Sequence, residues 1–296
     1  MCQYRLVHGM PLPLLEAKYS SWADASLSRG RISLGVSLLD KLLPHGLPRR
    51  SFVLFAGEGG AGKSLIVQLI ASSMLRRGEK VVYVCLDDDP ESVVESMESR
   101  GIDARSYADE GKLVFVDGYG ARYGLESEDY VAEKLSSLDT HAAVATIQRL
   151  VDANSLRNSG LVVIDSLNPF LLRYEPTVVY DFVNMLRVSL AKRRSVPTLA
   201  TLHTPSQLYA EIAAILEHMV DVFAVVRYHS EALEAGVAVR EILVKKAKGA
   251  PISQGWTSFV ITDEGLVEAR VRVKNRELDV EPEPLTRFLE AEHRCV

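Results

Sequence analysis

The chain has 296 residues, enough for one elaborated domain with a sizeable core. Its 34 Lys and Arg against 39 Asp and Glu leave a formal charge of −5, so no global positive field draws it to nucleic acid. The three cysteines, Cys2, Cys85 and Cys295, have no metal-ligand spacing and make no disulfide framework, no apolar run approaches the ~20 residues of a membrane span, and the N-terminus lacks a basic region followed by an apolar core, so a cytoplasmic protein without a membrane partner is expected.

Residues 1–31 read as an irregular segment with Pro11 and Pro13, in which Trp22-Ala23-Asp24-Ala25 stands out. A short helix and a turn between Ile32 and Ser51 lead into Phe52-Val53-Leu54-Phe55-Ala56, an apolar run suited to a strand buried on both faces. Gly57-Glu58-Gly59-Gly60-Ala61-Gly62-Lys63-Ser64 follows directly and fits the phosphate-binding loop Gly-x-x-x-x-Gly-Lys-Ser/Thr at every fixed position. Its glycines let backbone N–H groups turn around a phosphate, Lys63 brings charge to the β- and γ-phosphates, and the Ser64 hydroxyl can ligate Mg2+. From Leu65 to Leu75 the residues are helix formers, so residues from Gly57 to Leu65 form the expected nucleotide contacts, with a helix N-terminus behind them. The motif implies that the chain binds a nucleoside triphosphate or descends from one that did.

Further strands are expected at Lys80–Leu86, Leu113–Val116, Leu161–Asp165, Pro197–Leu202 and Val222–Tyr228, with helices at Glu91–Arg100, Ala142–Leu156, Val179–Arg193 and Ala210–His218. Gly118 to Glu126, rich in glycine and tyrosine, reads as a mobile surface loop. After Tyr228 the helices stop, and Val237–Lys245, Thr257–Ile261 and Leu266–Val273 read as an antiparallel extension. A tail over 276–296, with Pro282 and Pro284, leads toward a short terminal helix. This alternation predicts an α/β fold with a doubly wound, mostly parallel sheet spanning residues 32–275, its ligands lying beyond the C-terminal strand ends. Asp87 and Asp88 fall there, as does Asp165, a carboxylate placed to hold Mg2+ opposite Ser64.

Residues 32–254 resemble the RecA-superfamily ATPases of the KaiC and RadA branch. Leu34-Gly35-Val36 with Leu39-Asp40, the phosphate loop, Val163-Ile164-Asp165-Ser166 and Val220-Asp221-Val222-Phe223 carry the likeness in family order. The resemblance implies an ATP- and Mg2+-dependent ATPase that forms rings or filaments with nucleotide between subunits. It assigns Asp87 and Asp88 to the glutamate pair that activates water, His203 and Thr204 to a γ-phosphate sensor, and Lys246-Ala247-Lys248-Gly249 to the Lys-x-Arg-Gly segment that reaches the next subunit's γ-phosphate. Aspartate is shorter than glutamate by roughly 1.5 Å, and lysine lacks the forked donors of arginine, so slow turnover is expected. Lys245, Lys246 and Lys248 also fit a solvated edge strand carrying charges against aggregation.

In the recombinase members, loops after the strands of the Asp165 and Thr204 type hold single-stranded DNA. The first matches Asn168 to Pro176, with Phe170, Arg173 and Tyr174. The second, between Thr204 and Tyr209, lacks the length and glycines that strand exchange uses, and no helix-hairpin-helix pattern stands in front of the core. Lys192-Arg193-Arg194 reads as cations at a helix C-terminus. A regulatory or DNA-repair ATPase, a non-hydrolysing ATP switch, a recombinase paralogue that binds single-stranded DNA and a kinase acting on itself or a protein partner all stay open at this point. The RecA-type recombinases also tether subunits through an aromatic-x-x-Ala element, which Trp22 to Ala25 resembles.

Overall fold

A computed structural model describes residues 30–263, 265–274 and 277–282. Trp22, the irregular N-terminal segment and the expected terminal helix lie outside these residues.

The strands are β1 (Arg31–Ile32), β2 (Leu47–Pro48), β3 (Phe52–Gly57), β4 (Val81–Cys85), β5 (Leu113–Asp117), β6 (Val131–Lys134), β7 (Leu161–Asp165), β8 (Thr198–His203), β9 (Val222–Tyr228), β10 (Arg240–Ala247), β11 (Thr257–Thr262), β12 (Gly265–Lys274) and β13 (Glu277–Pro282). All but β1 and β2, which pair with each other, join one 11-stranded sheet in the order β13-β12-β11-β10-β9-β3-β8-β7-β4-β5-β6. From β9 to β6 every pairing is parallel. From β9 outward to β13 every pairing is antiparallel. The α/β fold with a mostly parallel sheet and an antiparallel C-terminal extension is therefore as the sequence predicts. The strand β13 extends that sheet beyond the boundary expected at residue 275.

The helices are α1 (Ser37–Leu42), α2 (Lys63–Arg76), α3 (Pro90–Glu98), α4 (Ala104–Asp109), α5 (Gly120–Tyr123), α6 (Thr140–Ala153), α7 (Asn168–Arg173), α8 (Pro176–Leu186), α9 (Gln207–Met219) and α10 (Ser230–Glu234). Alternation along β3 sorts its side chains into two cores. Val53 and Phe55 join the apolar cluster that includes Ile66 and Ile70 of α2, whereas Phe52, Leu54 and Ala56 join the opposite cluster with Phe182 and Leu186 of α8. Helix α1 is tied down by one side chain. The Asp40 carboxylate accepts hydrogen bonds from Ser33 Oγ (2.8 Å), Leu34 N (2.8 Å) and Gly35 N (3.0 Å). Gly35 has φ +67°, and a Cβ there would lie 1.7 Å from Ser73 Oγ, so the loop packs on α2 only as glycine.

Three local expectations are corrected. The Gly118–Glu126 segment is a held turn around α5, because Asp117 accepts from the backbone N–H groups of Tyr119, Gly120 and Ala121 and from Ser127 Oγ. The Asn168–Pro176 segment is the helix α7 leading into α8. Finally, the long helix expected from Val179 to Arg193 begins at Pro176 and passes at Arg187–Lys192 into a π-helical turn.

Candidate nucleotide-binding site

Strand β3 delivers the Gly57–Ser64 loop to the C-terminal edge of the sheet, between β8 and β9. Gly57 has φ +151°, and a Cβ would fall 1.8 Å from the Val226 carbonyl oxygen, so the loop can leave the sheet here only as glycine. Gly62 is the left-handed N-cap of α2, with no side chain capping it. The first N–H groups of this 14-residue helix thus stay available to an anion at its N-terminus. Lys63 is 2% exposed, and its Nζ donates to the carbonyls of Gly57 (3.0 Å) and Glu58 (2.6 Å). Burial lowers its pKa to about 8, against the pull of Asp165, Asp87 and Glu58, so an arriving polyphosphate would stabilise the charged ammonium.

Next to Lys63, the Ser64 hydroxyl lies 3.2 Å from Asp165 Oδ1. Asp165 also accepts from the Thr201 hydroxyl on Oδ1 and from the Tyr83 phenol on Oδ2 (2.9 Å). Burial and the Asp165 charge push the Tyr83 phenol well above its ordinary pKa. Ser64, Gln68, Asp87, Asp88, Ser92 and Asp165 face one cleft of about 200 Å³. These hard oxygen donors suit Mg2+. Among the described residues no cluster of three or more His, Cys, Asp or Glu side chains could cage a metal.

The three aspartates after β4 have three different environments. Asp87 accepts from the Ser166 hydroxyl and lies 3.3 Å from His203 Nε2. Burial would raise its pKa, but the bonds from His203 and Ser166 outweigh this and hold it below the usual carboxylate value. Asp88 is exposed in the cleft mouth, and partial burial raises its pKa. Asp89 caps α3, accepting from Ser92 N (3.0 Å) and Ser92 Oγ (2.8 Å). His203 is fixed in turn by Asn168, whose Oδ1 accepts from His203 N (2.7 Å) and whose Nδ2 donates to His203 O (2.8 Å). Thr204 N donates to Gly57 O (2.9 Å), which brings the end of β8 to the start of the loop.

Lys246 and Lys248 are not part of this cluster. Lys246 pairs with Phe223 in β9, level with Leu54 of β3, three residues and roughly 10 Å below Gly57. Its Nζ donates to the carbonyls of Glu217 (2.5 Å) and His218 (2.9 Å), at the C-terminus of α9. Lys248 N donates to Asp221 O, beside Phe52 at the opposite end of β3 from the loop. Within one chain the lysines and the loop stand at opposite edges of the sheet. Lys192 bonds Asp221 and the Arg50 carbonyl, and Arg194 bonds Asp152, so these cations serve the packing of their own domain.

A family model described as the KaiC ATPase matches residues 32–270. The chain belongs to the KaiC family of ATPases. It is 28% identical to a UPF0273 protein of Sulfurisphaera tokodaii over 86% of this chain and 88% of that one. It is 30% identical to one of Methanopyrus kandleri over 80% and 90%. The crystal structure of a KaiC-like protein of Pyrococcus horikoshii shares the fold, with a TM-score of 0.63 and 24% identity over 80% of this chain and 98% of that one. No helix among the described residues is long and apolar enough to cross a membrane.

On this KaiC-family scaffold, sequence reasoning missed Tyr83, Ser166 and Thr201, which hold the carboxylates of Asp165 and Asp87 in place, and Asn168, which fixes the His203 backbone. It also missed Tyr228 and Arg240, which both donate to the Gly60 carbonyl (2.9 and 3.4 Å). Tyr83 had a legible signal: a tyrosine inside an otherwise apolar buried strand needs a partner for its hydroxyl. Phe170, expected in a loop where it could stack on a base, is 1% exposed and packed 4.3 Å from Phe182.

Proposed function

We propose that the chain is a Mg2+-dependent ATP hydrolase, slow in turnover, whose sites are completed between subunits of a ring or filament and whose output is regulatory. The observation that carries this reading is the convergence of the buried Lys63 ammonium, the Ser64 hydroxyl and the Asp165 carboxylate at the N-terminus of α2. Lys63 and the loop N–H groups would bind the β- and γ-phosphates. Ser64 and Asp165 would hold Mg2+, which when bound neutralises charge developing on the transferred phosphoryl group. Asp88 faces the cleft without the Ser166 and His203 bonds that tie Asp87, and it would position the attacking water. His203 and Thr204 border the γ-phosphate side of the loop. Because aspartate falls roughly 1.5 Å short of glutamate, and about 1 Å of misplacement can cost on the order of 10²-fold, hydrolysis is slow.

The family resemblance assigns Lys246 and Lys248 to the nucleotide of a neighbouring subunit, and their bonds to the C-terminal carbonyls of α9, away from the loop of their own chain, are compatible with that role. Burial of Phe170 removes one of the two aromatics that could stack on a base after β7, and single-stranded DNA enters as an arm of the test. Phosphate release is followed with and without single-stranded DNA, alongside ATP binding. Wild-type protein is expected to bind ATP and release phosphate slowly. Lys63→Ala is expected to keep its fold and lose ATP binding. Unchanged ATP affinity in Lys63→Ala would remove the basis of the assignment.

A further inference from the structure

Asp165 closes β7, which lies between β8 and β4. Register places Cys85 of β4 beside Asp165, so Tyr83, two residues earlier, points to the same side of the sheet as Cys85. Its ring is fully buried and packs 5.9 Å from Phe115, and its hydroxyl reaches up the strand to Asp165 Oδ2 at 2.9 Å. From the other flank, the buried Thr201 of β8 donates to Asp165 Oδ1. Each strand beside β7 therefore contributes one hydroxyl to this carboxylate, one to each oxygen.

We propose that Tyr83 and Thr201 are positioning residues for the divalent cation, clamping the Asp165 carboxylate from both sides so that its remaining lone pairs face Ser64. The proposal rests on the ATPase reading above. A carboxylate has about four acceptor sites. Two are occupied by the clamp and a third by Ser64, whose hydroxyl is the group that would turn to the metal. That leaves Asp165 able to accept from a metal-bound water or to meet the cation, but unable to rotate without breaking both buried bonds. Packing alone does not call for these hydroxyls. Phenylalanine would fill the Tyr83 site, and valine would fill the Thr201 site.

Isothermal titration of ATP into the full-length protein, in Mg2+ buffer and in EDTA, tests the clamp. The readout is the ratio of the two affinities, which a purely structural role would leave alone. Tyr83→Phe is expected to lower that ratio by roughly ten- to hundredfold, as loss of an outer partner of a metal ligand does, with the affinity in EDTA unchanged. Thr201→Val should lower the ratio as well, and Thr201→Ser, which keeps the hydroxyl, should restore it. If Tyr83→Phe fails to fold, the two Thr201 variants carry the same comparison. A ratio unchanged in folded variants, or affinities that fall equally in both buffers, would overturn the clamp while leaving the ATPase reading intact. Wild-type protein that binds no ATP in either buffer would overturn both.

Discussion

Asp221 holds the edge of the sheet opposite the phosphate loop, and its removal is expected to be costly. The side chain is 3% exposed. Oδ2 accepts from Phe52 N (3.0 Å) and Arg187 Nε (3.1 Å), and Oδ1 accepts from Arg187 Nη2 (2.8 Å) and Lys192 Nζ (2.8 Å). Arg187 and Lys192 are five residues apart and would lie about 140° from each other around an α-helix. The π-helical turn Arg187–Lys192 lets both reach one carboxylate. Asp221→Ala leaves Arg187 and the first N–H of β3 without their acceptor and Lys192 with only the Arg50 carbonyl, a loss of about 3–5 kcal/mol for a broken buried pair. For a chain of this size that lowers the melting temperature by about 6–20 °C, at about 2–4 °C per kcal/mol. Asp221→Asn, which can still accept from Phe52 N, should lose less. Burial alone would raise the Asp221 pKa, but the bonds from Arg187, Lys192 and Phe52 hold it below its ordinary value. Its stabilisation is therefore fully present above the unfolded value of about 3.9 and is lost as pH falls through the lower, folded value. Thermal unfolding by circular dichroism should show a gap between wild type and Asp221→Asn that is constant from neutral pH to about 5 and shrinks below about 4. An unchanged melting temperature in Asp221→Ala, or a gap that widens in acid, would refute the reasoning.

The two aspartates beyond β4 should separate in steady-state phosphate release. Asp88→Glu, which restores reach toward the γ-phosphate, should raise the turnover number, and Asp88→Asn should abolish most of it. Asp87→Glu should give no gain, because the Asp87 carboxylate is already engaged by Ser166 and His203. If neither glutamate variant gains activity and asparagine at both positions leaves it untouched, these residues do not position water. Lys246→Ala should keep ATP affinity and lose turnover, checked by pairing calorimetry with phosphate release. A loss of affinity equal to that in Lys63→Ala would contradict its assignment to a neighbouring site.

The phosphate loop and Asp165 are legible in the sequence because each is a local pattern: an apolar run ending in residues whose order fixes their use. The partners of Asp165 are not. Tyr83 is 82 residues away from it and Thr201 36 residues away, and they meet only because β7 inserts between β4 and β8, a strand order that periodicity does not encode. Strand β6 escaped notice because Val131-Ala132-Glu133-Lys134 is a short, half-exposed edge strand with a single large apolar residue. The recombinase resemblance implied a loop over Asn168–Pro176, yet Pro169 and Pro176 each sit in the first turn of a helix, where the missing N–H costs nothing. The π-helical turn left no trace in the hydrophobic pattern, because the side chains it aligns, Arg187 and Lys192, are polar and meet Asp221 only in the fold.

The claim that one chain's loop is completed by another chain's lysines has a direct test. Lys63→Ala protein is expected not to bind ATP but keeps Lys246 and Lys248, whereas the double variant Lys246→Ala/Lys248→Ala keeps the loop. Each alone should release little phosphate. Mixed under conditions that allow subunit exchange, they form junctions in which an intact loop faces intact lysines, and phosphate release should rise well above the sum of the two. A mixture no more active than that sum, from proteins shown to co-assemble, would contradict the account.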